Sequence, residues 1–214
     1  MTLRYWIPAG MAALIAIGGT TLVSVTHAAD EKAKGGAAEK TDKKEEKKPE
    51  ETVAVEIGGL KLKLPKSWKQ SDATLPMRLA TFEIPAAEGD KENGELVVSS
   101  FPGGGGGVDA NLGRWIGQFD AEGREADILQ GKAGKNEYFI VNISGTYQKS
   151  IGPPVLGKKK PEPGSRMVGV ILNVDGGAVY FLKMTGPDAT VAAQVDALRA
   201  SFGGKSDGEE AYEF

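Results

Sequence analysis

Residues 53–68 read Val-Ala-Val-Glu-Ile-Gly-Gly-Leu-Lys-Leu-Lys-Leu-Pro-Lys-Ser-Trp, and this stretch decides the fold class. Val53, Val55 and Ile57 alternate with polar or small residues, and Leu60, Leu62 and Leu64 alternate with Lys61 and Lys63. Side chains of an extended chain point to opposite faces in turn, so each run buries one face. Gly58-Gly59 between them supplies a two-residue turn, and the pattern predicts a β-hairpin. Pro65-Lys-Ser-Trp68 ends its second strand.

Working downstream, residues 78–84 and 95–101 read as two further strands joined by a polar loop. After Pro102 and the five glycines Gly103 to Gly107 the period changes. Leu112, Trp115, Ile116 and Phe119 fall on one helical stripe, with Asp109 placed as the cap. Residues 136–147 form a long strand, and 148–165 a Pro/Gly/Lys loop. A second hairpin follows, Arg166–Val174 and Ala178–Met184, turned at Asp175-Gly-Gly177. The last element is one helix after Gly186-Pro187, capped by Asp188, with Val191, Val195, Leu198 and Phe202 on its apolar stripe and Gly203-Gly204 as its stop. The order ββββ-α-βββ-α predicts an α+β domain: one largely antiparallel sheet of about seven strands with two amphipathic helices packed on it.

The corner Leu64-Pro-Lys-Ser-Trp68, the meander with a mid-domain helix, and a closing helix ending Leu198-Arg-Ala-Ser-Phe202 resemble the PsbP/Mog1-like α/β/α sandwich domains, which include small exported bacterial proteins. The similarity spans about 52–204. It implies a fold whose members mostly bind or assist other molecules and are seldom enzymes. It carries over no functional residue, because no binding motif of the family is matched here, and fold alone does not fix function.

Upstream, residues 1–28 read as a secretory signal peptide. Arg4 is the lone charge, an apolar run extends from Tyr5 to about Val25, and Thr26-His27-Ala28 offers small residues for cleavage after Ala28. The alternative is an uncleaved anchor, for which the run is long enough. Gly18, Gly19, Thr20, Thr21 and Ser24 dilute its second half, and with no cysteine there is nothing to acylate. The chain is therefore expected to be exported, to the periplasm or beyond. Residues 29–51, rich in Lys, Glu, Ala and Gly, cannot bury enough apolar surface to offset ordering and read as a disordered charged linker. Residues 52–204 then form a single domain, and 205–214 read as a frayed acidic tail.

Cleavage has chemical consequences. The only histidine is His27, so the mature chain holds neither histidine nor cysteine. That excludes a His base, a Cys nucleophile and the usual zinc ligands. Removing one positive charge takes the formal net charge from −3 to −4, which does not suggest a nucleic-acid binder. A pair of carboxylates remains for acid–base chemistry. The acids Glu88, Asp90, Glu92, Asp120, Glu122, Glu125 and Asp127, however, fall in stretches read as solvated loops. The glycine run lacks the spacing of a dinucleotide loop, and Asp109 at the helix start repels anions, so it reads as a flexible connection. Gly203-Gly-Lys-Ser206 trails a helix where a phosphate loop opens one. Asp175-Gly-Gly177 has no spaced oxygen ligands and reads as a turn, while Glu88–Glu92 reads as a polar hairpin connection. Trp68 and Trp115 read as core anchors.

The stretch least explained by folding is Gly157-Lys-Lys-Lys160, with Lys149 before it and Arg166 after it. Five positive charges there face only Glu162. Lys158, Lys159, Lys160 and Arg166 are accordingly the candidate binding residues, for an unknown protein or an anionic envelope component; the plain alternative is a solubilising surface loop. No catalytic residue, cofactor or metal is expected. The function expected is that of an exported non-enzymatic accessory or binding protein, with a carboxylate-dependent envelope enzyme and a structural envelope component as alternatives.

Overall fold

The computed structural model describes residues 50–72, 77–152 and 157–214. The signal peptide and all but the end of the linker lie outside the described residues. The hairpin is present as read, β1 Thr52–Ile57 against β2 Leu60–Pro65. Gly58 and Gly59 have φ of 56° and 91°, the left-handed conformation that a tight hairpin turn requires at both central residues. Leu60, Leu62 and Leu64 are buried while Lys61 and Lys63 face solvent.

The hairpin does not extend the main sheet. It forms a two-stranded sheet of its own beside an eight-stranded one. The larger sheet is made from β3 (Lys69–Gln70), β4 (Ala80–Ile84), β5 (Gly94–Ser100), β6 (Glu125–Ala133), β7 (Asn136–Ser150), β8 (Lys159–Asn173), β9 (Val179–Pro187) and β10 (Glu210–Ala211). Its spatial order is β10-β6-β7-β8-β9-β5-β4-β3, antiparallel at every pairing. The α+β class and the antiparallel character stand. Period-two spacing tells which side chains share a face, but not which strand a hairpin joins, so the expectation of a single sheet is corrected.

Alternation splits the core into two layers. On one face Phe82, Leu96, Met184, Val168, Leu182, Val170, Ile140 and Tyr138 lie under Ile57, Leu60, Leu62, Leu64 and Trp68 of the hairpin and under the C-terminal helices. The Tyr180 hydroxyl donates to the Gly58 carbonyl at 2.7 Å and pins the hairpin turn to the sheet. On the other face Phe139, Val141, Ile143, Met167, Ile171 and Phe181 receive Leu112, Trp115 and Phe119. Helix α1, Val108–Ile116, supplies the first two of these. Trp115 seats directly on Gly169, where a Cβ would stand 2.5 Å from the indole. Any larger residue at that rung would lift α1 off the sheet.

Several boundaries differ from the sequence reading. The final helix is two, α2 Asp188–Ala192 and α3 Val195–Ser201. The first packs on β8 and β9 and the second on β2, two surfaces that one straight helix cannot serve. Asp188 is inside α2, with Pro187 at the cap position, and Asp109 is in the first turn of α1, with Gly107 at the cap. A carboxylate in a first turn still favours the helix through the end charge of the peptide dipoles. The glycine run is no open loop. Gly103 to Gly106 follow a left-handed path, and the buried Asn111 donates to the Gly105 and Gly107 carbonyls at 3.1 and 2.9 Å. Glu125 and Asp127, read as loop acids, stand on β6.

The tail is the largest correction. Residues 205–214 are part of the domain, not a frayed extension: β10 pairs with β6 on the sheet edge. The Glu209 side chain is 3% exposed and accepts from Arg199 Nε at 2.7 Å and from the Tyr138 hydroxyl at 2.8 Å. Tyr212 crosses to the other face, packs edge-on against Phe139 and donates to Asp109 at 2.7 Å. Composition alone made this segment look unable to pack; its partners lie about 70 and about 100 residues upstream.

Candidate functional site

The stretch 148–165, expected to be a loop, is mostly strand. β7 and β8 continue past their neighbours as a two-stranded arm. β6 stops at the Glu125–Ser144 rung, and β9 stops at Ser165–Pro187. The register of β7 against β8 shifts between Gly145 and Tyr147, and beyond this irregularity the rungs run Tyr147–Glu162, Gln148–Pro161, Lys149–Lys160 and Ser150–Lys159. A bulge bends a strand and re-aims the residues beyond it, and bulges recur beside functional surfaces. The turn after α1 braces the arm's root: Gln148 N–H donates to the Gln118 carbonyl at 2.7 Å, and Asp120 N–H donates to the Thr146 carbonyl at 3.0 Å. The strand edge of β8 carries Pro161 and Pro163, which have no N–H for a further strand to use.

Between the arm and the sheet lies an open cleft of about 510 Å³. Tyr147, Lys149, Lys160 and Glu162 line it from the arm, with Glu95 and Thr185 from the sheet. Lys149 and Lys160 are directly opposite each other, an arrangement that disfavours the pairing by charge repulsion. One carboxylate oxygen of Glu162 relieves it, at 3.3 Å from Lys149 and 3.6 Å from Lys160. Glu95 in turn is paired with Arg78 at 3.1 Å.

Next to the cleft, Lys183 stands on the row Val141–Gly169–Lys183–Val97 of the sheet face. Its Nζ donates to Gln118 Oε1 at 2.6 Å and to the Tyr147 hydroxyl at 3.1 Å, and sits 5.2 Å from the Tyr147 ring centre. Burial pushes the ammonium down from 10.5 to about 8, with Glu95 pulling the other way. Tyr147 is pushed up, again chiefly by burial, with Glu162 and Glu95 adding to it. Lys183 thus ties the end of α1, the arm and the sheet together at one amine.

Of the four candidate binding residues the structure gathers three. Lys160 lines the cleft; Lys159, one residue away on the strand, points to the arm's opposite face. Lys158 stands just before β8, where its carbonyl accepts the Ile151 N–H at 3.0 Å. Arg166 is not part of the group. It lies on the other face of the sheet, donating to Asp188 at 2.9 Å and to Asn142 at 2.8 Å, where it holds the start of α2. Sequence distance suggested one patch, and alternation alone would keep 160, 162 and 166 on one face. The extra β8 residue at the bulge, where Ser165 to Glu162 spans Gly145 to Tyr147, puts position 166 on the opposite face. Lys183, Tyr147 and Gln118 were not singled out from sequence. The one available signal was a lone lysine inside the apolar strand Val179-Tyr-Phe-Leu-Lys-Met184.

The remaining sequence motifs serve folding. Asp90 accepts from Thr190 N–H at 3.0 Å and from its hydroxyl at 2.6 Å, so the Glu88–Glu92 loop caps α2. Trp68 and Trp115 are buried in the two core layers as expected. Among the described residues no group of three or more acidic or histidine side chains could hold a metal ion. No helix among them is long and apolar enough to cross a membrane.

No family model and no curated protein matches the chain. Among solved structures it is similar to cyanobacterial PsbP from Synechocystis sp. PCC 6803 at 12% identity, over 77% of this chain and 95% of that one, with a TM-score of 0.40. It is also similar to a protein of unknown function from Pseudomonas aeruginosa at 14% identity, over 69% of this chain and 91% of that one, with a TM-score of 0.38. The PsbP-like resemblance read from the Leu64–Trp68 corner and the closing helix recurs in the first of these.

Proposed function

We propose that this chain is an exported, non-enzymatic accessory or binding protein whose contact surface is the arm of β7 and β8 and the cleft at its root. The observation that carries the reading is the Lys149–Lys160 rung. Two like charges face each other across a strand pair at a cost to the pairing, and one shared carboxylate only partly offsets it. A local rule broken without a structural gain marks a surface kept for contact. An incoming acidic group would complete the neutralisation that Glu162 begins. Export rests on the charge, apolar run and small residues of the first 28 positions.

The test uses protein recovered from the envelope fraction, its N-terminus read by mass spectrometry, as bait in envelope extracts. Cleavage gives Ala29 as the first residue, and Lys149→Glu with Lys160→Glu removes at least nine-tenths of a captured partner. Retention of Met1 sinks the cleaved form of the reading, and capture indifferent to the double reversal sinks the contact surface. A carboxylate-dependent enzyme is the second reading, favoured by one observation: Glu95 and Glu162 line the same cleft. Each already has a cation beside it, which makes both better suited to holding charges in place than to moving protons.

A further inference from the structure

The two walls of the cleft carry like-charge rungs of opposite sign. On the arm, Lys149 and Lys160 face each other, relieved by one oxygen of Glu162 at 3.3 and 3.6 Å. On the sheet, Glu95 of β5 faces Glu83 of β4. Glu83 accepts from Asn93 Nδ2 at 2.8 Å and has Lys69 opposite it on its outer side. Glu95 is the member of that rung that lines the cleft, with Arg78 at 3.1 Å, and Glu92 lines the same side. Like charges directly opposite weaken a strand pair, and here both signs of that fault border one cavity. Two lysines meet three carboxylates, Glu92, Glu95 and Glu162, so the cleft is no general site for a polyanion.

We infer that the cleft binds a short peptide with both ends free, its carboxylate at Lys149 and Lys160 and its ammonium at Glu92 and Glu95. This deepens the binding-module reading and rests on it: the acidic group taken by the lysine rung is one end of a molecule whose other end is basic. The volume of about 510 Å³ falls in the range of small-molecule sites, roughly 300–1,000 Å³. A free amino acid bears both charges on one carbon, whereas an extended tripeptide parts them by about 10 Å, which suits walls built from separate elements. Pro161, Pro163 and Pro187 also line the cleft and offer no N–H to pair a peptide as a further strand, so its ends are what can be read. The arm-side wall is held in place before any ligand arrives, because Lys183 donates to the Tyr147 hydroxyl at 3.1 Å.

The full chain is titrated calorimetrically with trialanine, with N-acetyl-trialanine, which lacks the ammonium, and with trialanine amide, which lacks the carboxylate. Each blocked peptide should bind at least about 10-fold more weakly than trialanine. Lys149→Gln with Lys160→Gln should weaken trialanine about 10-fold or more and leave the amide where it is in the wild type. Glu92→Gln with Glu95→Gln should do the same for trialanine and leave the N-acetyl form unchanged. Lys149, Lys160 and Glu95 side chains are 53%, 62% and 47% exposed and Glu92 is exposed, and unchanged circular-dichroism melts verify that the variants are folded.

No binding of trialanine at millimolar concentration overturns the inference, as does wild-type affinity in either double variant. Free alanine bound as tightly as trialanine overturns the peptide and leaves a single amino acid. An N-acetyl form bound as tightly as trialanine, and lost with the lysines, shows a site for carboxylates alone: it ends this inference and keeps the contact surface. Envelope capture that depends on Lys149 and Lys160 without peptide binding does likewise, whereas loss of both ends the two readings together.

Discussion

At the scale of single residues, Lys183 shows how one buried charge organises a site and leaves a measurable trace. Its ammonium is held by Gln118 and Tyr147, with no carboxylate of the described residues in salt-bridge range, so burial lowers its pKa to about 8. Between pH 8 and 10.5 the unfolded chain binds the proton that the folded chain has lost, and stability therefore rises with pH across that window. Tyr138 has the opposite sign. Burial and the Glu209 carboxylate raise it to about 12, so above pH 10 the folded state keeps a proton that the unfolded state gives up. Urea titrations should accordingly show stability climbing from pH 8 towards 10 and levelling or falling beyond. Lys183→Met should abolish the climb and leave the high-pH fall. A variant that climbs as the wild type does would remove Lys183 as its source.

At the scale of elements, the strands and helices that were legible are those whose apolar spacing is regular: the hairpin at 52–65, α1, and the strand pair turned at Asp175-Gly-Gly177. The elements missed lack that signal. β6 is half-buried or exposed at every position but its last, Ala133, because it lies near the sheet edge, and β10 has only two residues, both exposed. What holds β10 is the buried contact of Glu209 with Arg199 and Tyr138 just before it. Glu209→Gln leaves the guanidinium, 11% exposed, without its buried counter-charge, although Asp196 remains at 2.7 Å. The expected cost is about 3 kcal/mol in denaturant unfolding, with faster proteolysis after residue 205. A loss under roughly 0.5 kcal/mol would mean that the C-terminal segment is held by Tyr212 alone.

At the scale of the whole molecule, one sheet serves two separate cores, and β7, β8 and β9 each contribute to both. Such layers cannot melt independently. Leu62→Ala under the hairpin and Leu112→Ala under α1 should each cost about 2–5 kcal/mol and still unfold in a single transition. Two resolved transitions in either variant would contradict a shared scaffold. The sequence by itself determined the secondary-structure class, the hairpin turn at Gly58-Gly59, the two tryptophan anchors and the lysine cluster at 158–160. These are local matters of period, turn chemistry and charge. Only the tertiary structure decided that the hairpin lies across the sheet face, that Arg166 turns away from the cluster, that Glu209 closes a buried network, and that Lys149 and Lys160 face each other on a projecting arm. Strand order and register arise from contacts between residues far apart in the chain, and a pattern of period two carries no information about the partner on the other side.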